Sequence, residues 1–156
     1  WFEKNFPNCY FVGITRDGYA VAEGIRRRVR LKGYQKKLYG EFYPLSLTAR
    51  QWVDANSRLL SAKDKVKNYH QIAYEDLTNN PVTVLNDIFD FLQVSRPIMS
   101  FRNQCLSVNK NNKKIRNMNT ASYSNMNALD FYKITCVIDK MQKDLNYPLR
   151  ERGGND

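Results

Sequence analysis

The stretch from Cys9 to Arg28 constrains the fold more than any other part of the chain. An apolar run rich in β-branched and aromatic residues stops at Arg16-Asp17-Gly18, and apolar residues at helical spacing follow. The pattern predicts a strand, a turn and a helix. The apolar face of that helix consists of Val21, Ala22, Ile25 and Val29. In α/β sheets, anions bind beyond the carboxyl ends of strands, where a helix start offers free backbone N–H groups and a positive dipole end. Arg16 occupies the position at which such an anion is expected.

The chain carries a strong excess of positive charge. Its 25 Lys and Arg against 15 Asp and Glu give a formal charge of +10 over 156 residues. This excess favours phosphate, sulfate, nucleic acid or an anionic membrane surface as a partner, and its sign alone does not choose among them. With 42% hydrophobic and 13% aromatic residues, the chain suits one domain with one ordinary core and is not a disordered segment.

The cysteines indicate neither a disulfide framework nor a zinc site. Cys9, Cys105 and Cys136 are odd in number, widely separated and form no CxxC pair. Cys9 and Cys136 lie in apolar runs and are predicted to be core thiols. Because no apolar run reaches the roughly 18 to 20 residues of a membrane span and no signal peptide opens the sequence, we expect no membrane span and a reducing, cytoplasmic location.

A second strand is predicted over residues 66–74, with Tyr74-Glu75-Asp76-Leu77 at its carboxyl end. His70 lies inside this strand without a triad-like or metal-like neighbour, so a residue of the core or of the sheet face is the favoured interpretation. Asn80-Pro81 then opens a helix, since proline at the first helical position sacrifices no hydrogen bond. Residues 33–47 are predicted to be an irregular connection, and a capping box over Thr48–Gln51 predicts that the following helix starts there.

The last third of the chain is polar until its final helix. Residues 95–127 are rich in Asn and Lys and show no clear periodic element, which predicts a functional or mobile loop. Apolar positions at helical spacing predict a helix over residues 128–145. Residues 150–156 are predicted to be a frayed tail, which leaves residues 1–149 as a single domain.

Three segments, in order, resemble the sulfotransferase family, whose members move a sulfuryl group from 3′-phosphoadenosine 5′-phosphosulfate to an acceptor. Residues 11–18 and the helix after them look like the family's strand, Arg-Asn/Asp turn and helix. Residues 72–77, followed by Asn80-Pro81 and a helix that ends in Phe91-Leu92, are similar to the "YEDL … nP … FL" signature. Residues 115–119 with the closing helix look like the family's C-terminal end.

The resemblance implies roles for particular residues. Arg16 would bind the 3′-phosphate of the sulfuryl donor. Gly24 stands where the family usually has a Ser that helps to bind this phosphate, so that contact is lost, and Arg26, Arg27 or Arg28 are candidates to replace it. The resemblance also implies that no metal is required. The implied donor-site residues are Arg16, Gly24, Arg28, Lys113, Lys114 and Arg116, the last three on a loop that folds over the donor.

The implied fold is a partial α/β fold like that of P-loop NTPases, with a short parallel sheet flanked by helices. Family members open with a loop that grips the 5′-phosphosulfate, and residues 1–156 contain no such loop. The chain therefore resembles the C-terminal half to two-thirds of a sulfotransferase, with a missing N-terminal half or a partner chain to supply the rest. The catalytic base is unassigned, and so is the acceptor, a hydroxyl or an amine of unknown class.

Two alternatives to a sulfotransferase stay open. A basic module that binds nucleic acid or another polyanion fits the charge of +10, although nucleic acid is not favoured because the chain lacks a recognisable RNA- or DNA-binding signature. An inactive sulfotransferase remnant fits the lost serine and the missing loop. A simply solvated basic surface would also explain the lysines and arginines outside the Arg16 turn.

Overall fold

The computed structural model describes residues 5–28, 30–96, 105–108 and 111–150, and for 105–108 and 111–114 it describes the backbone alone. Val29, a member of the predicted apolar helix face, lies outside the described residues. Residues 151–156 of the predicted tail lie outside them as well. The elements in chain order are β1 (Phe11–Thr15), α1 (Gly18–Arg28), α2 (Gly33–Tyr39), α3 (Leu45–Lys63), β2 (Tyr69–Ala73), α4 (Tyr74–Asn79), α5 (Pro81–Phe91), β3 (Cys105–Val108), β4 (Asn111–Lys114), α6 (Asn119–Tyr123) and α7 (Ala128–Asp144).

The strands form two short ribbons. β1 and β2 pair in parallel, in a register that places Phe11 opposite Tyr69 and Thr15 opposite Ala73. Both strands therefore end at the same edge, and each is followed by a helix. β3 and β4 form an antiparallel pair. The prediction of an α/β fold with a short parallel sheet is confirmed.

The chain divides into two compact units, the first of which comprises residues 1–15 and 62–117. It contains the parallel ribbon. The Phe91 ring of α5 lies 5.3 Å from the Tyr10 ring and 5.1 Å from the His70 ring, centroid to centroid. His70 is thus a half-buried residue of the sheet whose ring packs against the Phe91 ring. Val12 and Ile14 of β1 are 41% and 53% exposed.

The second unit comprises residues 16–61 and 118–156. The apolar faces of α1, α3 and α7 meet in its core. The buried members of this core are Tyr19, Ala22, Leu45, Ala49, Trp52, Met126, Phe131, Ile134 and Ile138. In the described part of the chain, the buried apolar side chains other than Pro81 all belong to this unit.

The prediction of an irregular connection over residues 33–47 is wrong, because residues 33–39 form α2. The two glycines that indicated a loop lie at the ends of this helix, with φ of +55° at Gly33 and +81° at Gly40. The N–H of Gly40 donates to the carbonyl of Lys36. Glycine at a helix end relieves the steric cost of positive φ, so here it marks a helix boundary and not the absence of a helix.

Helix α3 begins at Leu45, three residues before the predicted start. The carbonyl of Pro44 accepts hydrogen bonds from the N–H groups of Leu47 and Thr48. The Thr48 hydroxyl donates back to the Leu45 carbonyl, so Thr48 lies inside the first turn and does not cap the helix. Ser and Thr satisfy local backbone groups in either position, which is why the sequence pattern misplaced the start.

Residues 95–127 are not a loop without regular elements, because β3, β4 and α6 lie within them. Strand β4 reads Asn-Asn-Lys-Lys and therefore lacks the apolar alternation that indicates a half-buried strand. The prediction that Cys136 is a core thiol is wrong, because Cys136 is exposed on α7. Cys9 is partly buried. The final helix is confirmed over residues 128–144.

Candidate functional site at the end of strand β1

The turn that joins β1 to α1 has its backbone held by side chains from distant segments. The carbonyl of Arg16 accepts a 2.9 Å hydrogen bond from the indole Nε1 of Trp52. The N–H of Gly18 donates to Oε1 of Gln142 over 3.2 Å. A Cβ on Gly18 would lie 2.9 Å from that same oxygen and 3.2 Å from Trp52 Cε3, so a larger residue would force these buried side chains to shift.

The guanidinium of Arg16 is oriented by the segment before the final helix. Its Nε donates to Oδ1 of Asn119 over 2.8 Å, although the two residues are 103 positions apart. Asn119 is 5% exposed and Arg16 is half-buried. A half-buried, hydrogen-bonded arginine is held in one direction before a ligand arrives, which lowers the entropic cost of binding.

Asp17 is a buried carboxylate directly beside Arg16. It is 1% exposed, and its Oδ1 accepts a 2.9 Å hydrogen bond from the N–H of Ala20, which caps the start of α1. Its Oδ2 accepts from Nε2 of Gln142 over 2.9 Å and lies 3.7 Å from Nε of Arg150. Burial raises the pKa of Asp17 above the ordinary 3.8, and these hydrogen bonds and the charge of Arg150 oppose the rise.

These contacts correct one expectation about the start of α1. The sequence predicted free backbone N–H groups there, but the N–H of Gly18 goes to Gln142 and that of Ala20 goes to Asp17. An anion at this edge would therefore be bound mainly by the arginine side chain. The helix start contributes its dipole, weakened by the neighbouring carboxylate.

Gln142 joins the turn to the C-terminal segment, and sequence reasoning missed it. It is fully buried, and its Nε2 also donates to the carbonyl of Pro148 over 3.1 Å. Nearby, the N–H of Arg150 donates to the hydroxyl of Tyr19. Its spacing is the sequence signal that could have found it, because Gln142 continues the four-residue spacing of Ile134 and Ile138 and so lies on the buried face of the helix. A polar side chain on that face needs hydrogen-bond partners.

The other predicted residues of α1 lie farther along the helix. Gly24 is exposed, and a Cβ built on it would contact nothing within 4 Å. Arg28 is exposed at the last residue of α1, about 15 Å along the axis from Gly18 at 1.5 Å per residue. Arg28 thus lies at the end where the helix dipole favours cations, and Arg16 lies at the opposite end.

The predicted basic residues of the later segment lie in the first unit. Lys113 and Lys114 belong to β4, whose side chains are outside the description. Arg116 is exposed, and its carbonyl accepts a 3.3 Å hydrogen bond from the hydroxyl of Tyr74, the first residue of α4. A role for these three residues at the donor stays a prediction.

None of the described helices is long and apolar enough to cross a membrane. Across residues 5–28, 30–96, 105–108 and 111–150, no group of three or more His, Cys, Asp or Glu side chains is placed to hold a metal ion.

Comparison with known proteins decides the family. A profile described as "Sulfotransferase family" matches residues 2–98, more than half of the chain. The chain belongs to the sulfotransferase family. This confirms the family resemblance. The match includes Arg16, Gly24 and the Tyr-Glu-Asp-Leu segment, whereas residues 115–119 and the closing helix lie beyond it.

A solved structure shares the fold of this family member. It is the sulfotransferase domain from the curacin biosynthetic pathway, with a TM-score of 0.59 and 23% sequence identity. The alignment covers 93% of this chain and 56% of that one, so the chain spans little more than half the length of that domain. No curated protein matches the chain significantly.

Proposed function

We propose that the chain is part of an enzyme that transfers a sulfuryl group from 3′-phosphoadenosine 5′-phosphosulfate to a hydroxyl or amine acceptor. In this proposal Arg16 binds the 3′-phosphate of the donor. The observation that carries it is the orientation of Arg16 by Asn119 at the carboxyl end of β1, in a chain of the sulfotransferase family. A guanidinium suits this role because it forms two parallel hydrogen bonds to a phosphate, which lysine cannot do.

The chemistry defines what the site has to supply. The sulfur–oxygen bond to the leaving phosphate breaks as the acceptor oxygen or nitrogen bonds to sulfur, and the acceptor loses a proton. Catalysis therefore requires a fixed donor, neutralised charge on the leaving group and a base for the acceptor. Arg16 acts in the first of these tasks. We assign neither a catalytic base nor the class of acceptor.

The remaining predicted residues have supporting parts in this proposal. Lys113, Lys114 and Arg116 would add positive charge near the bound donor, and Arg28 would add to the overall field along α1. Gly24 leaves open the space that a serine hydroxyl would fill. The 3′-phosphate would then be held more weakly than in relatives that carry the serine.

We also propose that residues 1–149 belong to one sulfotransferase domain that further chain, or a partner chain, completes. Parallel sheets are normally covered on both faces, yet Val12 and Ile14 of β1 are 41% and 53% exposed. Further parts of the domain would cover these side chains and supply the 5′-phosphosulfate loop. A cytoplasmic location stays a prediction.

Calorimetric titration with adenosine 3′,5′-bisphosphate tests the assignment of Arg16. We expect saturable binding that Arg16→Ala and Arg16→Lys both weaken, the alanine variant about tenfold or more, since a charge-assisted hydrogen bond is lost. Arg58→Ala on α3 is the control, because Arg58 is an exposed arginine of the same unit. Adenosine 5′-monophosphate, which lacks the 3′-phosphate, should bind no better to the native chain than the bisphosphate binds to Arg16→Ala.

Equal binding of the two nucleotides, or of the bisphosphate to native and Arg16→Ala chains, would overturn the assignment. Salt-sensitive binding of any polyanion with no preference for the bisphosphate would favour the basic module instead. The Gly24 position gives a second comparison. Gly24→Ser should tighten bisphosphate binding relative to Gly24→Ala, because both variants stabilise the helix and only serine adds a hydroxyl.

A further inference from the structure

The amide of Gln142 is fully buried in the second unit, and it hydrogen-bonds to two distant parts of the chain. Its Oε1 accepts from the N–H of Gly18 over 3.2 Å, and its Nε2 donates to Oδ2 of Asp17 over 2.9 Å and to the carbonyl of Pro148 over 3.1 Å. A side-chain amide has two N–H donors, so both donors of Gln142 are in use. One planar group thus fixes a backbone N–H, a carboxylate and a carbonyl relative to one another.

These partners admit a single orientation of the Gln142 amide. In the flipped orientation, its oxygen would face the carboxylate of Asp17 and the carbonyl of Pro148, which are both acceptors. Its NH₂ group would then face the N–H of Gly18, which is a donor. Each of these buried contacts would lose its hydrogen bond, which is costly away from water. The partners therefore fix the orientation of the amide, and the amide in turn holds the turn between β1 and α1.

The two turn residues that this amide holds, Asp17 and Gly18, directly follow Arg16 in the chain. The carbonyl of Arg16 itself accepts from the indole of Trp52, so the backbone on the C-terminal side of Arg16 is held by several hydrogen bonds. From this backbone, the guanidinium of Arg16 reaches Oδ1 of Asn119 over 2.8 Å. A ligand-binding side chain has to be placed within about 0.5 Å, so a small movement of the turn would misdirect the guanidinium.

The same amide also binds the carboxylate that lies next to Arg16 in the chain. A carboxylate beside a phosphate-binding arginine is a competitor for the phosphate, because it can form the same bidentate pair with the guanidinium. In Asp17, Oδ1 accepts from the N–H of Ala20, Oδ2 accepts from Gln142, and the residue is only 1% exposed. These bonds hold the carboxylate in the interior of the unit, which lowers its competition with a phosphate for Arg16.

We propose that Gln142 is a positioning residue for the sulfuryl donor, because it fixes the turn that carries Arg16 and holds the carboxylate of Asp17 in the interior. The proposal rests on the proposed function, in which Arg16 binds the 3′-phosphate of the donor. Since Gln142 is fully buried, it acts through Arg16 and not by contact with the donor. Its contribution to binding should therefore disappear when the guanidinium of Arg16 is removed.

Calorimetric titration of Gln142→Met with adenosine 3′,5′-bisphosphate tests this role. Methionine keeps the unbranched shape of the side chain, but it donates no hydrogen bond and accepts one only weakly. We expect the variant to bind the bisphosphate about tenfold more weakly than the native chain. In the Arg16→Ala background, the same substitution should change the affinity by less than about twofold. Losses of equal size in the two backgrounds, or no loss in the native one, would overturn the proposal.

Ile134→Val is the matched control, because Ile134 is a fully buried residue of the same helix without a polar side chain. It should lower the melting temperature and leave bisphosphate binding unchanged. The ¹H–¹⁵N signal of Arg16 Nε–H, identified by its absence in Arg16→Lys, gives a second measurement on the ligand-free chain. This signal should shift in Gln142→Met and stay in place in Ile134→Val. An unchanged signal in folded Gln142→Met would contradict the proposal.

If Gln142→Met does not fold, a reversed pair of side chains decides. Gln142→Glu alone sets two carboxylates against each other, and adding Asp17→Asn restores an amide–carboxylate hydrogen bond in the opposite direction. Asparagine caps a helix about as well as aspartate does, so the start of α1 keeps its cap. The pair should bind the bisphosphate more tightly than Gln142→Glu alone. A folded pair that binds it no better than Arg16→Ala would contradict the proposal.

Failure of this proposal is separable from failure of the proposed function. If the native chain prefers the bisphosphate to adenosine 5′-monophosphate and Gln142→Met binds the bisphosphate equally well, Arg16 needs no help from Gln142. Only the positioning role is then wrong. If the native chain shows no such preference, the assignment of Arg16 to the donor falls, and the positioning role falls with it.

Discussion

The two units differ in how completely they bury their apolar side chains. In the second unit, Trp52 and Phe131 are 3% and 5% exposed, and Ile134 is fully buried. In the first unit, Val12 and Ile14 are 41% and 53% exposed, although they lie on a strand of a parallel sheet. Because burial of apolar surface is the main favourable contribution to folding, the second unit should provide most of the stability of the chain.

The same difference explains how the candidate anion site is held in place. Arg16 follows strand β1, whose Val12 and Ile14 are exposed, but its side chain and backbone are held by Asn119 and Trp52 of the well-packed second unit. By contrast, the residues of β2 and the Tyr74 that follows are only partly buried. Arg16 is thus positioned by residues of the second unit, which is the unit with the well-buried apolar core.

The largest expected effect compares one isoleucine from each unit. Ile134→Ala should lower the free energy of unfolding by about 2 to 5 kcal/mol, since it leaves a cavity in a closed core. Ile14→Ala should cost less than about 1 kcal/mol, because the side chain is 53% exposed. Urea denaturation followed by circular dichroism measures both. Equal losses would show that the first unit is as tightly packed as the second.

A smaller effect is expected from two glycines of helix α1. Gly18→Ala should lower the free energy of unfolding by about 1 to 3 kcal/mol, since its Cβ would lie 2.9 Å from Gln142 and from Ile138. Gly24→Ala should raise it by about 0.5 to 1 kcal/mol, because the site is exposed and open and alanine is the better helix former. Thermal denaturation of the two variants gives the sign of each change. A gain in stability from Gly18→Ala would mean that Gln142 and Ile138 leave room for a Cβ at this position.

Because Asp17 is a buried carboxyl group, we expect the stability of the second unit to depend on pH. Burial raises its pKa above 3.8, so the folded chain binds this proton more tightly than the unfolded chain does. The stabilisation that the protonated form contributes is complete below pH 3.8 and is lost as the pH rises through the folded pKa. Carbon-13 NMR titration of the Asp17 carboxyl should give a midpoint above 3.8. Arg150→Gln should raise that midpoint further, and Arg58→Gln should leave it unchanged.

The smallest effect is expected at the start of α4 in the first unit. Tyr74→Phe removes the hydroxyl that donates to the carbonyl of Arg116 over 3.3 Å at an exposed position. The free energy of unfolding should change by no more than about 0.5 kcal/mol. Chemical denaturation beside the native chain measures it. A loss comparable to that of Gly18→Ala would place Tyr74 in a tightly held site and break the contrast between the units.

The parts of the fold that sequence predicted well are those with a local signal. The change from a β-rich run to helical spacing located β1 and α1, and Pro81 located the start of α5. The elements that sequence missed lack such a signal. Helix α2 begins and ends at glycine, and the Asn-Asn-Lys-Lys of β4 has no apolar alternation. Tertiary context overrides weak local preferences in such segments.

For the site, the sequence by itself determined that an arginine follows a strand and precedes a helix, in a chain of the sulfotransferase family. That information is local, because the strand, turn and helix patterns each extend over only a few residues. Only the tertiary structure decided that Asn119 orients Arg16 and that Gln142 occupies the first N–H of α1. These contacts join residues 103 and 124 positions apart. The spacing of the final helix indicates that Gln142 is buried, but no local pattern in the sequence specifies its distant hydrogen-bond partner.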